Sequence, residues 1–381
     1  MSTPGPPASR HIMWPLYAAG FTTAFGAHGI AANLGGSVGS FLALGVLLAL
    51  YDGAEVLLKP VFGTLADRVG ARPVMVCGLA GFALASAGYA LAGEPGWLWA
   101  ARLGQGAAAS AFSPAASSLV ARLNPASRHG RAFGSYGFHK SIGYTLGPLL
   151  GGVLVWAGGL RLLFAVMAVL GSAVAVWAVV VVPHVPPLPR TRQTVRDLAR
   201  RLSSPGFLGP AGALAAATAA LSVGVGFLPV SGAAAGLGPV VTGAAVSVLA
   251  LCAAVVQPWA GRALDAGRLT TRTGLASGLA VTAAGTVAAV LPGPAGVLLA
   301  AALIGAGTGV ITPLGFAALA AATPPERLGQ TMGSAELGRE LGDAGGPLLV
   351  GGVAAALTLT HGYAALAVLL AALAWWSARR R

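Results

Sequence analysis

The chain has 381 residues, of which 56% are hydrophobic and 9% are charged, and its mean hydropathy is +0.79. Because soluble domains carry roughly 25% charged residues, this composition excludes a soluble protein and indicates that lipid surrounds most of the chain. The formal net charge of +13 does not indicate a nucleic-acid partner, since the basic residues lie in short segments between apolar stretches and form no basic face.

Twelve apolar stretches follow one another along the chain, each near the roughly 20 residues that cross a bilayer as a helix. They lie at 12–34, 38–62, 73–92, 96–120, 131–156, 160–182, 207–230, 238–260, 272–291, 295–321, 330–356 and 361–378. Many contain glycine or proline, which membrane helices tolerate. The sequence therefore predicts an all-α integral membrane protein with twelve transmembrane helices.

The polar segment 183–206 divides six spans from six. It contains five prolines and five arginines, and we predict a cytoplasmic linker with a short amphipathic helix near 191–202. The predicted domains are an N-terminal six-helix half over 1–182 and a C-terminal six-helix half over 207–381.

The distribution of basic residues predicts the orientation. Of the 23 lysines and arginines, 18 fall on the side that holds both termini and the linker, and only Arg161 falls on the other side. Cytoplasmic loops of membrane proteins carry the excess of lysine and arginine. We therefore predict a multi-pass protein of a bacterial-type plasma (inner) membrane with both termini in the cytoplasm.

The two halves resemble each other at an offset of 198–199 residues, and the similarity is strongest between 130–152 and 329–352. Glycines, a serine and a proline recur in one register: Gly130, Gly134, Ser135, Gly143, Gly147 and Pro148 match Gly329, Gly333, Ser334, Gly342, Gly346 and Pro347. Earlier in each half, Pro60, Gly63 and Asp67 match Pro258, Gly261 and Asp265. Parallel repeats of six spans are typical of transporters whose substrate site lies between the halves.

Three motifs accompany this repeat. The first, Gly63-Thr-Leu-Ala-Asp67-Arg68-Val-Gly70-Ala-Arg72, follows the second span, and a weaker copy at 261–268 follows the eighth. The second motif is Arg102-Leu-Gly-Gln105-Gly106 in the fourth span. The third motif comprises six residues of the fifth span: Gly134, Gly143, Gly147, Pro148, Gly151 and Gly152. Over nearly its whole length the chain resembles the major facilitator superfamily, and these motifs are similar to its motifs A, B and C.

The resemblance implies roles for the motifs. Motif A is expected to hold the cytoplasmic side closed in one state, with gating residues Gly63, Asp67, Arg68, Gly70, Arg72 and, in the weaker copy, Asp265. Asp67 can pair with Arg68 or Arg72, or accept hydrogen bonds from a neighbouring helix N-terminus. Motif C, which is associated with the antiporter branches of the family, permits close backbone contact and a kink at Pro148.

Nine ionisable residues lie within the predicted spans, where each costs at least about 2.5–3.5 kcal/mol at the bilayer centre. They are Asp52, Glu55, Lys59, Arg102, Lys140, Glu336, Arg339, Glu340 and Asp343. Helical spacing places those of spans two and eleven on one stripe each. We predict that Asp52, Glu55, Arg102, Glu340 and Asp343 couple transport to protons, with structural ion pairing as the alternative. Glu336, nearest the cytoplasmic end, is either part of this stripe or merely solvated.

The predicted substrate cavity contains Lys59, Tyr136, His139, Lys140, Tyr144 and Arg339. Lys140 and Arg339 are equivalent in the repeat, so they could face one cavity from opposite halves. Fixed positive charge favours an anionic substrate, whereas the best-known carriers of motif C export lipophilic and often cationic drugs.

The chain carries none of the patterns that indicate catalysis or ATP binding, such as His-Glu-x-x-His, a nucleophile elbow or a phosphate-binding loop. Cys77 and Cys252 lack metal-ligand spacing and are predicted to be small buried hydrophobes. We therefore predict no enzyme, no cofactor and no metal site. The sequence favours a monomeric, proton-coupled exporter of small molecules, a drug/proton antiporter, with a transporter of small organic or inorganic anions as the alternative.

Overall fold

The computed structural model describes residues 10–34, 41–187, 195–234, 236–237 and 239–379. Long helices dominate this part of the chain, which confirms the all-α prediction. The helices are α1 (Arg10–Asn33), α2 (Phe41–Val69), α3 (Ala71–Ala92), α4 (Pro95–Arg122), α5 (His129–Val181), α6 (Val195–Leu202), α7 (Pro205–Ala234), α8 (Pro239–Asp265), α9 (Thr271–Ala288), α10 (Gly293–Ala321), α11 (Leu328–Ala356) and α12 (Leu359–Arg379).

Each predicted span coincides with a long helix or with one portion of α5. Two backbone conformations that a regular helix does not adopt interrupt α5, at Gly158 (φ −160°) and Gly159 (φ 68°). A positive φ is readily available only to glycine, and the break separates 129–157 from 160–181, close to the predicted spans 131–156 and 160–182. The largest difference lies in α2, which continues seven residues beyond the predicted end at 62 and carries motif A as far as Val69.

The predicted linker is described in part. Residues 183–187 lack regular structure and α6 lies within the predicted amphipathic segment, whereas 188–194 lie outside the described residues, as do the predicted span residues at 38–40 and 238.

Six helices of the described residues are long and apolar enough to cross a membrane by length and composition. They are α3, α5, α7, α8, α10 and α12. The outer surface of the helices is also apolar, and it includes Leu57, Leu91, Trp156, Val180 and Leu348, each more than 70% exposed. An outer surface with this many large apolar side chains fits contact with lipid tails.

The chain divides into two compact units. Unit 1 comprises Met1–Pro125, His139–Arg190 and Thr323–Leu337, and unit 2 comprises Ala126–Phe138, Thr191–Ala322 and Gly338–Arg381. Each unit has its own apolar core, around Phe82, Phe164 and Met167 in unit 1 and around Leu279, Ile304 and Leu366 in unit 2. The start of α11 belongs to unit 1 and the start of α5 belongs to unit 2.

One sequence expectation about the core is wrong. Cys77 is exposed on α3, and Cys252 is only partly buried on α8. An apolar run shows that a segment crosses lipid but not which face of the helix turns outward, and a thiol is small and apolar enough to lie on the outer face.

Candidate functional site

Close glycine contacts join α2 to the first portion of α11 in unit 1; we call this the α2/α11 crossing. A Cβ atom on Gly63 would collide with the carbonyl oxygen of Gly329, and one on Gly333 would lie 2.5 Å from the carbonyl oxygen of Lys59. Side chains larger than hydrogen at these positions would force the two backbones apart. The glycines of motif A and of its repeat therefore set how closely these helices approach.

Asp67 lies at one end of this crossing and accepts hydrogen bonds from a helix N-terminus, which is one of the alternatives that the sequence left open. Its two carboxylate oxygens accept hydrogen bonds from the backbone N–H groups of Gly329, at 2.7 Å, and Gln330, at 2.8 Å. The residue is 1% exposed, and the N-terminus of α11 supplies the partial positive charge that stabilises the buried carboxylate.

The other residues of motif A act differently. Arg72 donates to the backbone carbonyl oxygen of Val179, Arg68 is exposed, and Gly70 adopts a φ of 107° in the turn between α2 and α3. Sequence reasoning missed Arg122 at the end of α4, which interacts electrostatically with Asp67. Burial lowers the pKa of the Arg122 guanidinium, and the carboxylates of Asp67 and Glu326 act in the opposite direction.

Unit 2 contains a second copy of the same arrangement, which we call the α8/α5 crossing. Asp265 accepts hydrogen bonds from the backbone N–H groups of Gly130, at 2.9 Å, and Arg131, at 2.8 Å. A Cβ atom on Gly261 would collide with the carbonyl oxygen of Gly130, and one on Gly134 would lie 2.6 Å from that of Gln257. The internal repeat of the sequence is thus a repeat of contacts.

The remaining glycines of motif C pack against α1 in unit 1. Cβ atoms on Gly143, Gly147 and Gly151 would lie 2.5–2.9 Å from backbone carbonyl oxygens of α1. Nearby, the side chain of Asn33 donates to the carbonyl oxygen of Pro148 at 3.4 Å, and Gly152 is less tightly enclosed. Motif C therefore serves two contacts, with Gly134 at α8 and the later glycines at α1.

Four charged residues meet at the α2/α11 crossing: Glu55, Lys59, Lys140 and Glu336, which we call the lysine–glutamate cluster. The Lys59 ammonium lies 2.7 Å from a carboxylate oxygen of Glu55 and 3.9 Å from one of Glu336. The Lys140 ammonium lies 3.9 Å from the other oxygen of Glu336. All four residues are buried.

Glu336 is the residue that sequence reasoning placed least well. The alternative that it is merely solvated is wrong, because it is 1% exposed and lies between two lysines. Position along α11 suggested a location near water, but α2 and α5 cover this face of the helix. Glu55 and Lys59, four residues apart on α2, form an ion pair of the kind that this spacing favours, in line with the ion-pairing alternative that the sequence left open.

Arg102 of motif B lies buried beside the same face of α2. The residue is 1% exposed, its guanidinium carbon lies 4.4 Å from the centre of the Tyr51 ring, and Asp52 and Glu55 act on it electrostatically. Its Nε and Nη1 atoms have no hydrogen-bond partner among the described residues. Asp52 itself is exposed, so the two predicted coupling acids of α2 have different surroundings.

The other charged residues of α11 belong to unit 2. There the Nε atom of Arg339 donates to the Thr218 hydroxyl at 3.3 Å, and its guanidinium lies 5.7 Å from the Phe316 ring centre. Glu340 is partly buried and Asp343 is exposed. Of the predicted α11 stripe, Glu336 lies in unit 1 with the charges of α2, and the other three residues lie in unit 2.

Aromatic side chains of α1 surround the predicted cavity residues of α5 in unit 1. The His139 ring stacks on Tyr17 with centroids 4.6 Å apart and meets the edge of Trp14 at 5.3 Å. Tyr144 contacts His28 at 4.4 Å and lies 5.9 Å from the Lys140 ammonium. The sequence pointed to His139 and Tyr144, but only the fold reveals their partners on α1. Tyr136, also predicted for the cavity, is buried in unit 2.

The chain is similar in sequence to proteins of a known family. Residues 10–232 match the family described as the Major Facilitator Superfamily. The puromycin resistance protein pur8 of Streptomyces alboniger is 36% identical over 162 residues, which cover 40% of this chain and 29% of that protein. The class H tetracycline resistance protein of Pasteurella multocida is 35% identical over 112 residues, which cover 29% of this chain and 27% of that protein. The chain thus matches less than a third of the length of these relatives.

The similarity to solved structures extends further along the chain. The crystal structure of the human organic anion transporter MFSD10 matches with a TM-score of 0.80 at 17% identity, and the match covers 97% of this chain and 100% of that chain. At this identity the match shows a shared fold.

Proposed function

Since the chain belongs to the Major Facilitator Superfamily, we propose that it is a proton-coupled secondary transporter that exports small molecules by alternating access, a drug/proton antiporter. The proposed architecture is two six-helix halves, 1–182 and 207–381, joined by a cytoplasmic linker at 183–206. Both termini lie in the cytoplasm, the membrane is a bacterial plasma membrane, and the monomer is the working unit. Rocking of one half against the other would expose the substrate site to each side in turn.

The lysine–glutamate cluster is the observation that carries this proposal. Four ionisable residues lie buried within long helices, where an unbalanced charge is expensive. A proton is the smallest addition that changes the charge balance of such a cluster. A carboxylate whose ion pairs form in one state and break in another can therefore couple proton movement to conformation.

The other charged residues supplement this role. In α2, the buried Glu55 and the exposed Asp52 would exchange protons under the influence of Arg102, and Glu340 and Asp343 would do so in unit 2. Asp67 and Asp265 would gate by holding and releasing the N-termini of α11 and α5. The donors of these hydrogen bonds are backbone N–H groups at helix N-termini, which can bond to water when the aspartate is released.

The substrate is proposed from the relatives and from the aromatic residues. The two relatives described above are named as resistance proteins for puromycin and tetracycline, which supports export of lipophilic organic molecules. The stacked rings of Tyr17 and His139, with Trp14 at their edge, offer an apolar surface of the kind that lines small-molecule sites. Lys59, Tyr136, Lys140, Tyr144 and Arg339 are the further proposed contacts.

Proton flux in everted membrane vesicles tests the proposal. With an imposed pH gradient, we expect lipophilic cations to dissipate the gradient in vesicles that contain the protein and not in vesicles without it. Glu55→Gln should weaken this response strongly and Asp52→Asn less, because Asp52 is exposed. Substrate export that continues with no proton movement, or that requires a sodium gradient, would contradict proton coupling.

Transport of small anions is the second candidate, and the buried lysines favour it. Lys59, Lys140 and Arg102 are three cations in buried positions of unit 1, and a fixed positive charge attracts anions and repels cations. If only organic or inorganic anions dissipate the gradient, this candidate replaces drug export. In that case Lys140→Ala should impair an anionic substrate more than a neutral one.

A further inference from the structure

The two helix crossings allow the contribution of charge to be separated from that of packing. With the repeat offset of 198–199 residues, Lys59 corresponds to Gln257, Glu55 to Ala253 and Glu336 to Gly137. Both crossings have the aspartate that accepts two backbone hydrogen bonds and the glycines that contact carbonyl oxygens. The uncharged residues of the α8/α5 crossing show that this packing forms without a glutamate–lysine bridge.

The charges of the α2/α11 crossing therefore serve something other than building the crossing. Glu336 is 1% exposed, and both lysine ammonium groups lie 3.9 Å from its carboxylate, which is beyond hydrogen-bond distance. The attraction between these groups is thus a matter of charge more than of directed bonds. Adding a proton to Glu336 would remove most of it.

Other contacts are available to each lysine when this attraction is lost. Lys59 keeps its 2.7 Å pair with Glu55 on the same helix, and Lys140 keeps the face of the Tyr144 ring, 5.9 Å away. Glu336 is the only member of the cluster on α11. Its charge state consequently decides how strongly the first portion of α11 is held to α2 and α5.

We propose that Glu336 is a positioning residue that makes release of the first portion of α11 from α2 and α5 depend on a proton. This inference deepens the proposed function and rests on it, since it assigns one step of the coupling to one carboxylate. The proton comes from water and adds to a carboxylate oxygen, so the charge of the cluster changes by one unit and no covalent bond breaks. With Glu336 charged, its attraction to the lysines helps to hold the crossing closed. With Glu336 neutral, that attraction is lost, while the glycine contacts and the hydrogen bonds of Asp67 remain.

The surrounding charges are compatible with this assignment. Lys59 and Glu55 face Glu336 from α2, Lys140 faces it from α5, and Arg102 on α4 acts on Glu55 and Asp52. On α11 itself, Arg339 is directed to Thr218 and Phe316, and Glu340 and Asp343 follow in unit 2. Glu55 pairs with Lys59 of its own helix, whereas Glu336 faces lysines of two other helices, so protonation of Glu336 is the change that bears on contact between helices.

Thiol labelling at the start of α11 tests the inference without relying on transport. Met332 is 0% exposed and lies four residues before Glu336, on the same face of α11, so a cysteine there should react with a water-soluble maleimide only when the crossing opens. The 381-residue chain carries Cys77→Ser, Cys252→Ser and Met332→Cys, and it is labelled in everted vesicles across a pH series. Because maleimide reacts with the thiolate, whose fraction falls with the pH, the rate at each pH is divided by that of a solvent-exposed cysteine in the same protein background. We expect this ratio to rise as the pH falls, by at most about tenfold per pH unit, because one proton is bound.

Two variants and a matched control decide the outcome. Glu336→Gln should label rapidly at every pH, whereas Glu94→Gln, the same change at an exposed position outside the cluster and in the same unit, should keep the wild-type pH profile. Lys140→Met should move the profile to higher pH, since the loss of a neighbouring positive charge makes protonation of Glu336 more favourable. If Glu336→Gln fails to fold, the direction of the Lys140→Met shift alone decides.

The inference is overturned if Glu336→Gln retains the wild-type pH profile, or if Lys140→Met leaves the profile in place. Proton flux in the same vesicles separates this failure from that of the proposed function. If the protein supports proton flux but Glu336→Gln keeps the wild-type labelling profile, proton coupling remains supported and Glu336 has no part in it. If the labelling profile depends on Glu336 but no proton flux is measured, Glu336 is a proton-sensitive residue in a protein that does not transport protons.

Discussion

The α2/α11 and α8/α5 crossings have the same framework and differ in charge. In each, an aspartate accepts two hydrogen bonds from the start of a helix, and glycines bring two backbones into contact. Only the α2/α11 crossing adds Lys59 and Glu336, where the other has Gln257 and Gly137. Glycine and aspartate are therefore enough to form the packing of a crossing. The added charges are what would make the α2/α11 crossing respond to protonation.

The largest expected difference in stability between the crossings comes from replacing the buried polar residue of each, which is Lys59 on α2 and Gln257 on α8. Lys59→Met leaves Glu55 and Glu336 with less compensation and should lower the free energy of unfolding by about 3–5 kcal/mol. Gln257→Met removes a neutral group and should cost about 1 kcal/mol. Thermal and denaturant unfolding of the purified variants in detergent measures both. Adding Glu55→Gln to Lys59→Met should recover part of the loss, and equal losses at the two sites would refute a special role for charge.

A smaller effect, similar in both crossings, is expected from their glycines. Gly63→Ala and Gly261→Ala each place a Cβ atom against a backbone carbonyl oxygen, and each should cost about 1–3 kcal/mol. Gly53→Ala on α2 is the control, because nothing lies within 4 Å of its added Cβ. It should be neutral or stabilising, and a Gly63→Ala variant that behaves like it would show that the close approach is not required.

The smallest effects are expected from the aspartates. Asp67→Asn and Asp265→Asn keep one acceptor oxygen but lose the charge that interacts with the helix N-terminus, which should cost about 0.5–2 kcal/mol. The loss of stability should be near the upper end of this range for Asp67, which is 1% exposed, and near the lower end for the half-buried Asp265. Exposed Glu94, which caps α4 without a side-chain hydrogen bond, gives the control Glu94→Gln. A larger loss at Asp265 than at Asp67 would contradict the ranking by burial.

Sequence predicted the fold well because lipid imposes a simple rule on it. Apolar runs of bilayer length became helices, and a glycine pair marked the break in α5. Family membership confirms the resemblance drawn from motifs A, B and C, and with it the prediction of a transporter rather than an enzyme. The register of the repeat also pointed to Asp265 as the counterpart of Asp67.

The site was less predictable, for a physical reason. Spacing along one helix reveals pairs such as Glu55 and Lys59, but burial of Glu336 depends on helices more than 190 residues away in the chain. For the same reason, the sequence left several partners open for Asp67, and the structure selects the N–H groups of α11. Whether Lys140 and Arg339 face one cavity stays a prediction.

The separation between Asp67 and its hydrogen-bond donors has a consequence for biosynthesis. Gly329 lies 262 residues later in the chain, and a ribosome that adds about 5–20 residues per second needs roughly 13–50 s to reach it. During that interval α2 is already inserted while its partner does not yet exist. The ion pair of Glu55 with Lys59, four residues apart on one helix, neutralises both charges from the moment that helix forms. The nascent chain can thus insert the ionised Lys59 into lipid before α11 has been synthesised.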